Sequence, residues 1–261
     1  MNPELYLKDN FIIPDWPAPA NVCALQTTRN GGISLAPYDS LNLGVHVNDN
    51  ALHVAQNRQS LSQFLPSEPI WLKQVHGIKV VDAAIASCEP EADASFTTQK
   101  NVVCVTMTAD CLPILLCNHA GTQVAAVHAG WRSLCDGVIE ATLLQLNYQL
   151  QANHADKQAS DFMAWLGPAI GPQAFHVGAE VRAQFIEKDT QAESAFVPHG
   201  DKYLGNLYQI ATQRLQKLGI THVYGGGKAN KNWCTYSDKA SFFSYRRDGD
   251  TGRMGSFIWL A

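Results

Sequence analysis

Residues 108–133 read TADCLPILLCNHAGTQVAAVHAGWRS. Two apolar runs, Leu112–Cys117 and Val124–His128, flank the short segment Asn118-His119-Ala120-Gly121. Runs of this length around a Gly-containing loop predict a β-hairpin. Either a two-residue loop (His119, Ala120) or a four-residue loop (Asn118 to Gly121) places Cys111 directly opposite His128. Directly opposed residues on antiparallel strands hold their Cβ atoms about 5 Å apart. A slip of one residue would turn the two side chains to opposite faces. His128 is followed by AGWRS and a helical pattern, so it ends a strand at a strand-to-helix junction, where functional groups are often found.

Outward from this hairpin, further strand-like segments are expected at Val22–Gln26, Ile70–Val75, Ile78–Val81, Val102–Met107, Met163–Leu166 and Phe257–Leu260. Helical periodicity predicts helices over 49–65, 132–150, 178–187 and 205–218. Asp49 is the expected N-cap of the first and Gly219 the residue that ends the last. Residues 151–161 (QANHADKQASD) predict an exposed loop, and Asp248-Gly249 predicts the turn of a hairpin. No solenoid repeat, low-complexity tract or interdomain linker interrupts the chain, so residues 1–261 are expected to form one domain of α+β (mixed α/β) sandwich class.

Composition narrows the function. The chain has 261 residues, 46% of them hydrophobic, enough for a substantial core, and charged residues make up only 16% with a formal net charge of -4. No basic stripe is present, which argues against a nucleic-acid or anionic-membrane surface but leaves small anionic ligands open. The N-terminus carries Asp9, Asp15, Pro14, Pro17 and Pro19 between its apolar residues, so neither a signal peptide nor a membrane span is expected, and the protein reads as cytoplasmic. Seven cysteines without a C-x-x-C pair disfavour a disulfide framework.

Cys111 then remains a buried structural thiol, a nucleophile paired with a histidine, or a metal ligand. His76, in WLKQVHGIKV, stands at a bend between two strand-like runs. His76, Cys111 and His128 together would offer N, S and N ligands, which suit zinc with a fourth position open and are chemically compatible with copper. Asp110 could orient a ligand or exchange protons. Arg58 shares an apolar helix face with Val54 and Leu61, so it should be ion-paired or ligand-bound. Arg246, Arg247 and Arg253 gather near the Asp248-Gly249 turn, and arginine forks match phosphate oxygens.

The segments LNLGVHV, WLKQVHG, TADCLPILLC, AAVHAGWRS, WLGPAIGP and FFSYRRDGDTGRMGSFIWL resemble, in order and across nearly the whole chain, the YfiH family. It is also called the laccase-domain or multicopper-polyphenol-oxidase-like family. The resemblance implies an α/β/β/α sandwich like the catalytic domain of cytotoxic necrotising factors. It implies phosphorolysis of adenosine, inosine, guanosine and 5′-methylthioadenosine, with adenosine deamination besides. It makes His76, Cys111 and His128 zinc ligands. On this basis Arg58, with Arg246 behind it, is the expected phosphate contact, and Asp110 the expected proton shuttle. A Cys–His hydrolase or amidase editing peptidoglycan precursors and a copper-dependent polyphenol oxidase are the alternatives. The chain departs from the family pattern at Gln173, His176 and Asn206.

Overall fold

The run Leu112–Asn118 has two buried faces, and the layers of the molecule follow from that. Ile114 and Leu116 enter one apolar cluster, whereas Leu115 and Cys117 enter another, as the two-residue period of a strand requires. A strand buried on both sides needs a layer above and a layer below it.

The computed structural model describes residues 10–148, 161–226 and 233–261. In chain order these form strands β1 (Phe11–Ile12) and β2 (Val22–Thr27), helix α1 (Ala51–Ser60), and strands β3 (Val80–Asp82), β4 (Ala94–Thr97), β5 (Cys104–Thr108), β6 (Leu112–Asn118) and β7 (Val124–Ala129). Helices α2 (Trp131–Asp136) and α3 (Val138–Tyr148) follow, then β8 (Phe162–Leu166), β9 (His176–Val177), α4 (Ala179–Lys188), β10 (Phe196–His199) and β11 (Lys202–Gly205). The chain ends with α5 (Leu207–Lys217), β12 (His222–Gly225), α6 (Tyr245–Asp248) and β13 (Met254–Leu260).

A six-stranded sheet runs β12-β8-β6-β7-β4-β3, and a four-stranded sheet runs β1-β2-β13-β5. Leu115, Cys117, Ala126 and Trp165 from the first meet Cys104, Met254 and Ile258 from the second in a shared core. The far face of the six-stranded sheet is covered by Leu134, Val138, Ile139, Ile210 and Leu215 of α2, α3 and α5. The far face of the four-stranded sheet packs Val105, Met107 and Phe257 against Leu61, Leu65 and Trp71. The result is the expected mixed α+β class with two sheets between helical layers. Among the described residues, no helix is long and apolar enough to cross a membrane.

Several sequence expectations are corrected. The hairpin register is offset by two residues: Pro113, not Cys111, lies opposite His128. Asn118 is the cause. Its side-chain oxygen accepts from the backbone N–H groups of Thr122 and Gln123, and its own N–H bonds to the Gln123 carbonyl, so the strands extend and the loop becomes His119–Thr122 with Gly121 at φ +64°. An offset of two preserves the face, so Cys111 is a diagonal neighbour of His128 on the same side of the sheet. Ile70–Val75 forms only bridges at Ile70 and Lys73, because the Asp93 carboxylate draws in the N–H groups of Val75, His76 and Gly77. The helix expected over 132–150 is broken at Gly137, whose φ of +103° ends α2. Asn50 rather than Asp49 caps α1; Asp49 instead accepts from Ser34 and Asn42. The expected Asp248-Gly249 hairpin turn is the end of α6. The polar segment 151–161 lies outside the described residues except for Asp161.

Leu115 is fully buried between the sheets. Leu115→Ala is expected to lower the unfolding free energy by about 2–5 kcal/mol in urea denaturation; a loss under ~1 kcal/mol would mean that the two sheets close over the cavity.

Candidate active site

Asp93, immediately before β4, is fully buried and is the hub of the site. One carboxylate oxygen accepts from the His76 backbone N–H at 2.9 Å and from His128 Nδ1 at 2.7 Å. The other accepts from the N–H groups of Gly77 at 2.7 Å and Val75 at 3.2 Å. Its backbone carbonyl receives the His128 N–H at 2.7 Å. A single acid thereby ties the bend carrying His76 to the strand carrying His128. His76 sits at φ +60°, a conformation that costs a non-glycine residue about 1–3 kcal/mol and persists where surrounding bonds over-determine it.

Cys111 is delivered by the turn between β5 and β6, where Asp110 adopts φ +98°. Its Sγ lies 3.7 Å from His76 Nε2, the two imidazole centroids are 4.8 Å apart, and the ligand atoms of His76, Cys111 and His128 all fall within 4.8 Å of one another. Gly130 makes this approach possible. A Cβ there would stand 2.7 Å from His76 Cδ2 and 3.1 Å from Cys111 Sγ, so any side chain would push the ligands apart.

The electrostatics set Cys111 apart. Burial would raise its thiol, but the imidazoles of His128 and His76 outweigh that and bring it down to about 6. Cys104 and Cys117, also buried but without such neighbours, are pushed up to about 12. Burial would lower His128, yet Cys111 and Asp93 hold its imidazolium and raise it to about 9. Burial would raise Asp93, and the bonds from His128, Gly77 and Val75 bring it below the usual carboxylate range.

The donor set fits a borderline-soft divalent ion. Tetrahedral bonds of about 2.3 Å to sulfur and about 2.0 Å to nitrogen put such donors roughly 3.6 Å apart, close to the 3.7 Å between Cys111 Sγ and His76 Nε2. Asp93 on His128 Nδ1 leaves Nε2 as that ring's ligand atom, the usual carboxylate–histidine support of a metal.

The triad opens into a cavity of about 550 Å³. Asp110 lines it, but both its carboxylate oxygens are engaged, one by the Thr235 hydroxyl and the other by the Arg246 backbone N–H, each at 2.6 Å. That suits an anchor for α6 rather than a proton shuttle. Arg58 does not line the cavity: Nε donates to the Leu43 carbonyl, Nη1 reaches Glu89, and the guanidinium stacks 3.8 Å from the Trp71 ring. It is the internal ion pair that its apolar surroundings demand. Arg246 does line the cavity, near Phe175. Of the family departures, Asn206 caps α5 by accepting from Gln209 N–H, and His176 offers its carbonyl to Arg246. Asp93 escaped the sequence reading; its signal was an acid between two apolar alanines at a strand start. Gln74, Tyr245 and Arg253 also line the cavity.

The family described as multi-copper polyphenol oxidoreductase laccase matches residues 23–261. A relative from Escherichia coli (strain K12) named purine nucleoside phosphorylase YfiH is 52% identical over 255 residues, covering 96% of this chain and 98% of that protein. A Pseudomonas aeruginosa protein also named a purine nucleoside phosphorylase is 48% identical over 252 residues, covering 96% and 98%. A Neisseria meningitidis crystal structure superposes with a TM-score of 0.87 at 46% identity, covering 96% of this chain and 99% of that one. The Bacillus licheniformis hypothetical protein YfiH gives 0.84 at 27% identity, covering 97% of each.

In metal-free protein, alkylation of Cys111 by iodoacetamide is expected to rise with pH through a midpoint of about 6 rather than 9.0, followed by peptide mass spectrometry. The thiolate is the reactive form, so rate increases as pH climbs past that value. Asp93→Asn should move the midpoint upward, since the imidazolium loses its carboxylate; an ordinary thiol midpoint in the unaltered protein would contradict the geometry.

Proposed function

The chain belongs to the family described as multi-copper polyphenol oxidoreductase laccase, and we propose that it works as a zinc-dependent purine nucleoside phosphorylase in the cytoplasm, with adenosine deamination as a side activity. The observation that carries this reading is the His76–Cys111–His128 group lining a cavity together with apolar side chains and three guanidinium groups. Relatives near 50% identity named purine nucleoside phosphorylase support the same chemistry.

His76, Cys111 and His128 would hold the zinc, which when bound supplies a Lewis acid. Asp93 keeps His128 in the tautomer that leaves Nε2 free and locks the His76 bend, so the ligands are pre-set before any ion arrives. Ile170, Phe175 and Leu207 form an apolar wall suited to a purine face. In phosphorolysis a phosphate oxygen forms a bond to C1′ of the ribose while the C1′–N9 bond breaks. The base leaves with the electron pair and gains a proton. The protein's part is to hold phosphate and nucleoside in line and to favour negative charge on the phosphate side. The guanidinium groups that line the cavity supply that charge complement, and Asp110 fixes the start of α6 by accepting the Arg246 backbone N–H.

A second reading is favoured by one observation. Without metal, Cys111 and His128 form a thiolate–imidazolium pair backed by Asp93, the arrangement of a Cys–His hydrolase. A multicopper oxidase has less support, because among the described residues only one cluster of three metal-ligating side chains gathers.

Zinc-loaded protein is expected to release hypoxanthine from inosine only when phosphate is present, and inosine from adenosine without it, as followed by chromatography. Cys111→Ala should abolish both together with zinc retention. Full activity in that variant at unchanged zinc content would end the proposal, and a covalent adduct with an electrophilic probe that zinc does not suppress would favour the hydrolase.

A further inference from the structure

The chain has eight arginines. Five hold carboxylate partners: Arg29 with Asp39, Arg58 with Glu89, Arg182 with Glu193, Arg214 with Glu140 and Arg247 with Asp248. The three without a carboxylate partner among the described residues are Arg132, Arg246 and Arg253, and all three line the cavity above the triad. Five paired guanidinium groups outside it and three unpaired ones within it mark the cavity as a place where an anion completes the charge balance.

Arg253 is the most constrained of the three. Its backbone N–H donates to Asn42 Oδ1 at 2.9 Å, its carbonyl accepts from the Leu43 N–H at 3.1 Å, and Asn42 Oδ1 also takes the Gly44 N–H at 2.9 Å. Asn42 is fully buried. A Cβ on Gly44 would stand 2.7 Å from Arg253 Cγ and 3.2 Å from its Cβ, so the glycine leaves the channel through which the arginine stem runs. The segment LNLGVHV is in this way a seat for Arg253. The guanidinium gives Nη1 to the carbonyls of Thr251 and Gly252, at 2.9 and 3.0 Å. Its Nε and Nη2 have no protein acceptor among the described residues. Half-buried, it lines the same cavity as His76, Cys111 and His128. A desolvated guanidinium fork with two free N–H edges calls for a planar or tetrahedral oxyanion.

We propose that Arg253, seated by Asn42-Leu43-Gly44, binds the phosphate co-substrate beside the His76–Cys111–His128 group. This rests on the phosphorylase reading for the identity of the anion, but the oxyanion subsite stands on the geometry alone. Arg246, whose Nη1 is taken by the His176 carbonyl near Phe175, sits at the apolar wall and is left to the nucleoside end.

The experiment uses zinc-loaded full-length protein and inorganic phosphate as the probe. Phosphate binding is measured directly by titration calorimetry, and the KM values for phosphate and inosine are measured separately. Arg253→Gln is expected to weaken phosphate binding and raise its KM by about 10- to 100-fold, the usual worth of a charge-assisted hydrogen bond, while the inosine KM moves by less than ~3-fold. Gly44→Ala, which keeps the arginine but crowds its stem and so displaces the guanidinium, should shift the phosphate KM in the same direction. It also covers the case in which Arg253→Gln does not fold. Parallel changes in both KM values, unaltered phosphate binding in both variants, or no phosphate binding by the unaltered protein would overturn the proposal. Absence of hypoxanthine release by unaltered protein that does bind phosphate, with binding lost in Arg253→Gln, would sink the phosphorylase reading and leave the oxyanion subsite intact.

Discussion

The four hydrogen bonds received by the Asp93 carboxylate are the constraint on which the site depends. A carboxylate withdrawn from water is costly unless each lone pair is used, and here three backbone N–H groups and one imidazole N–H use them. The same bonds accomplish three things. They bend the chain at His76, they orient His128, and they place a negative charge where a histidine between a thiolate and a carboxylate becomes imidazolium. The bend also explains why an apolar run that looks like a strand, Ile70–Val75, is not one: its last N–H groups go to a side chain instead of a neighbouring strand.

Around this hub the two sheets serve as a rigid frame. The far end of the β6–β7 hairpin is set by Asn118, which moves the four-residue loop one residue along the chain, to His119–Thr122. At the near end the two strands stop at Leu112 and Ala129, so Cys111 and Gly130 stand just beyond the ladder, where the thiol is free to meet both rings. The strand termini, rather than the strands themselves, carry the chemistry, as is usual where a scaffold presents reactive groups on its connections. Asp110 belongs to this frame: with Thr235 and the Arg246 N–H on its two oxygens it fastens α6 and the segment after it to the turn that delivers Cys111.

The arginines show how charge is sorted between structure and site. Arg58 was readable as an arginine in apolar surroundings, and a partner or ligand was required of it; which of the two it received depended on Glu89 and Trp71, far away in sequence. In the sequence Arg253 was one of three arginines gathered near the Asp248-Gly249 turn. Its place beside the triad arises from a backbone clasp with Asn42 and Leu43 across more than two hundred residues, and no local pattern reports such a contact.

What the sequence by itself determined was local and periodic. Alternating and continuous apolar runs marked most strands, helical spacing marked the long helices, and Cys111 and His128 were placed on one face because a hairpin with either loop length, or with the observed one, keeps the same parity. The bend at His76 offered a third ligand to that pair, and the family resemblance made the three zinc ligands. The folded structure alone decided the rest: the exact cross-strand partner, because the position of the loop hinged on one side-chain hydrogen-bond set at Asn118; the role of Asp93, because a buried acid has meaning only through the donors that surround it; and the division of arginines into paired and unpaired, because a guanidinium is satisfied by whatever the fold brings near. Short-range periodicity is written along the chain, whereas the satisfaction of buried charge is a property of the assembled interior.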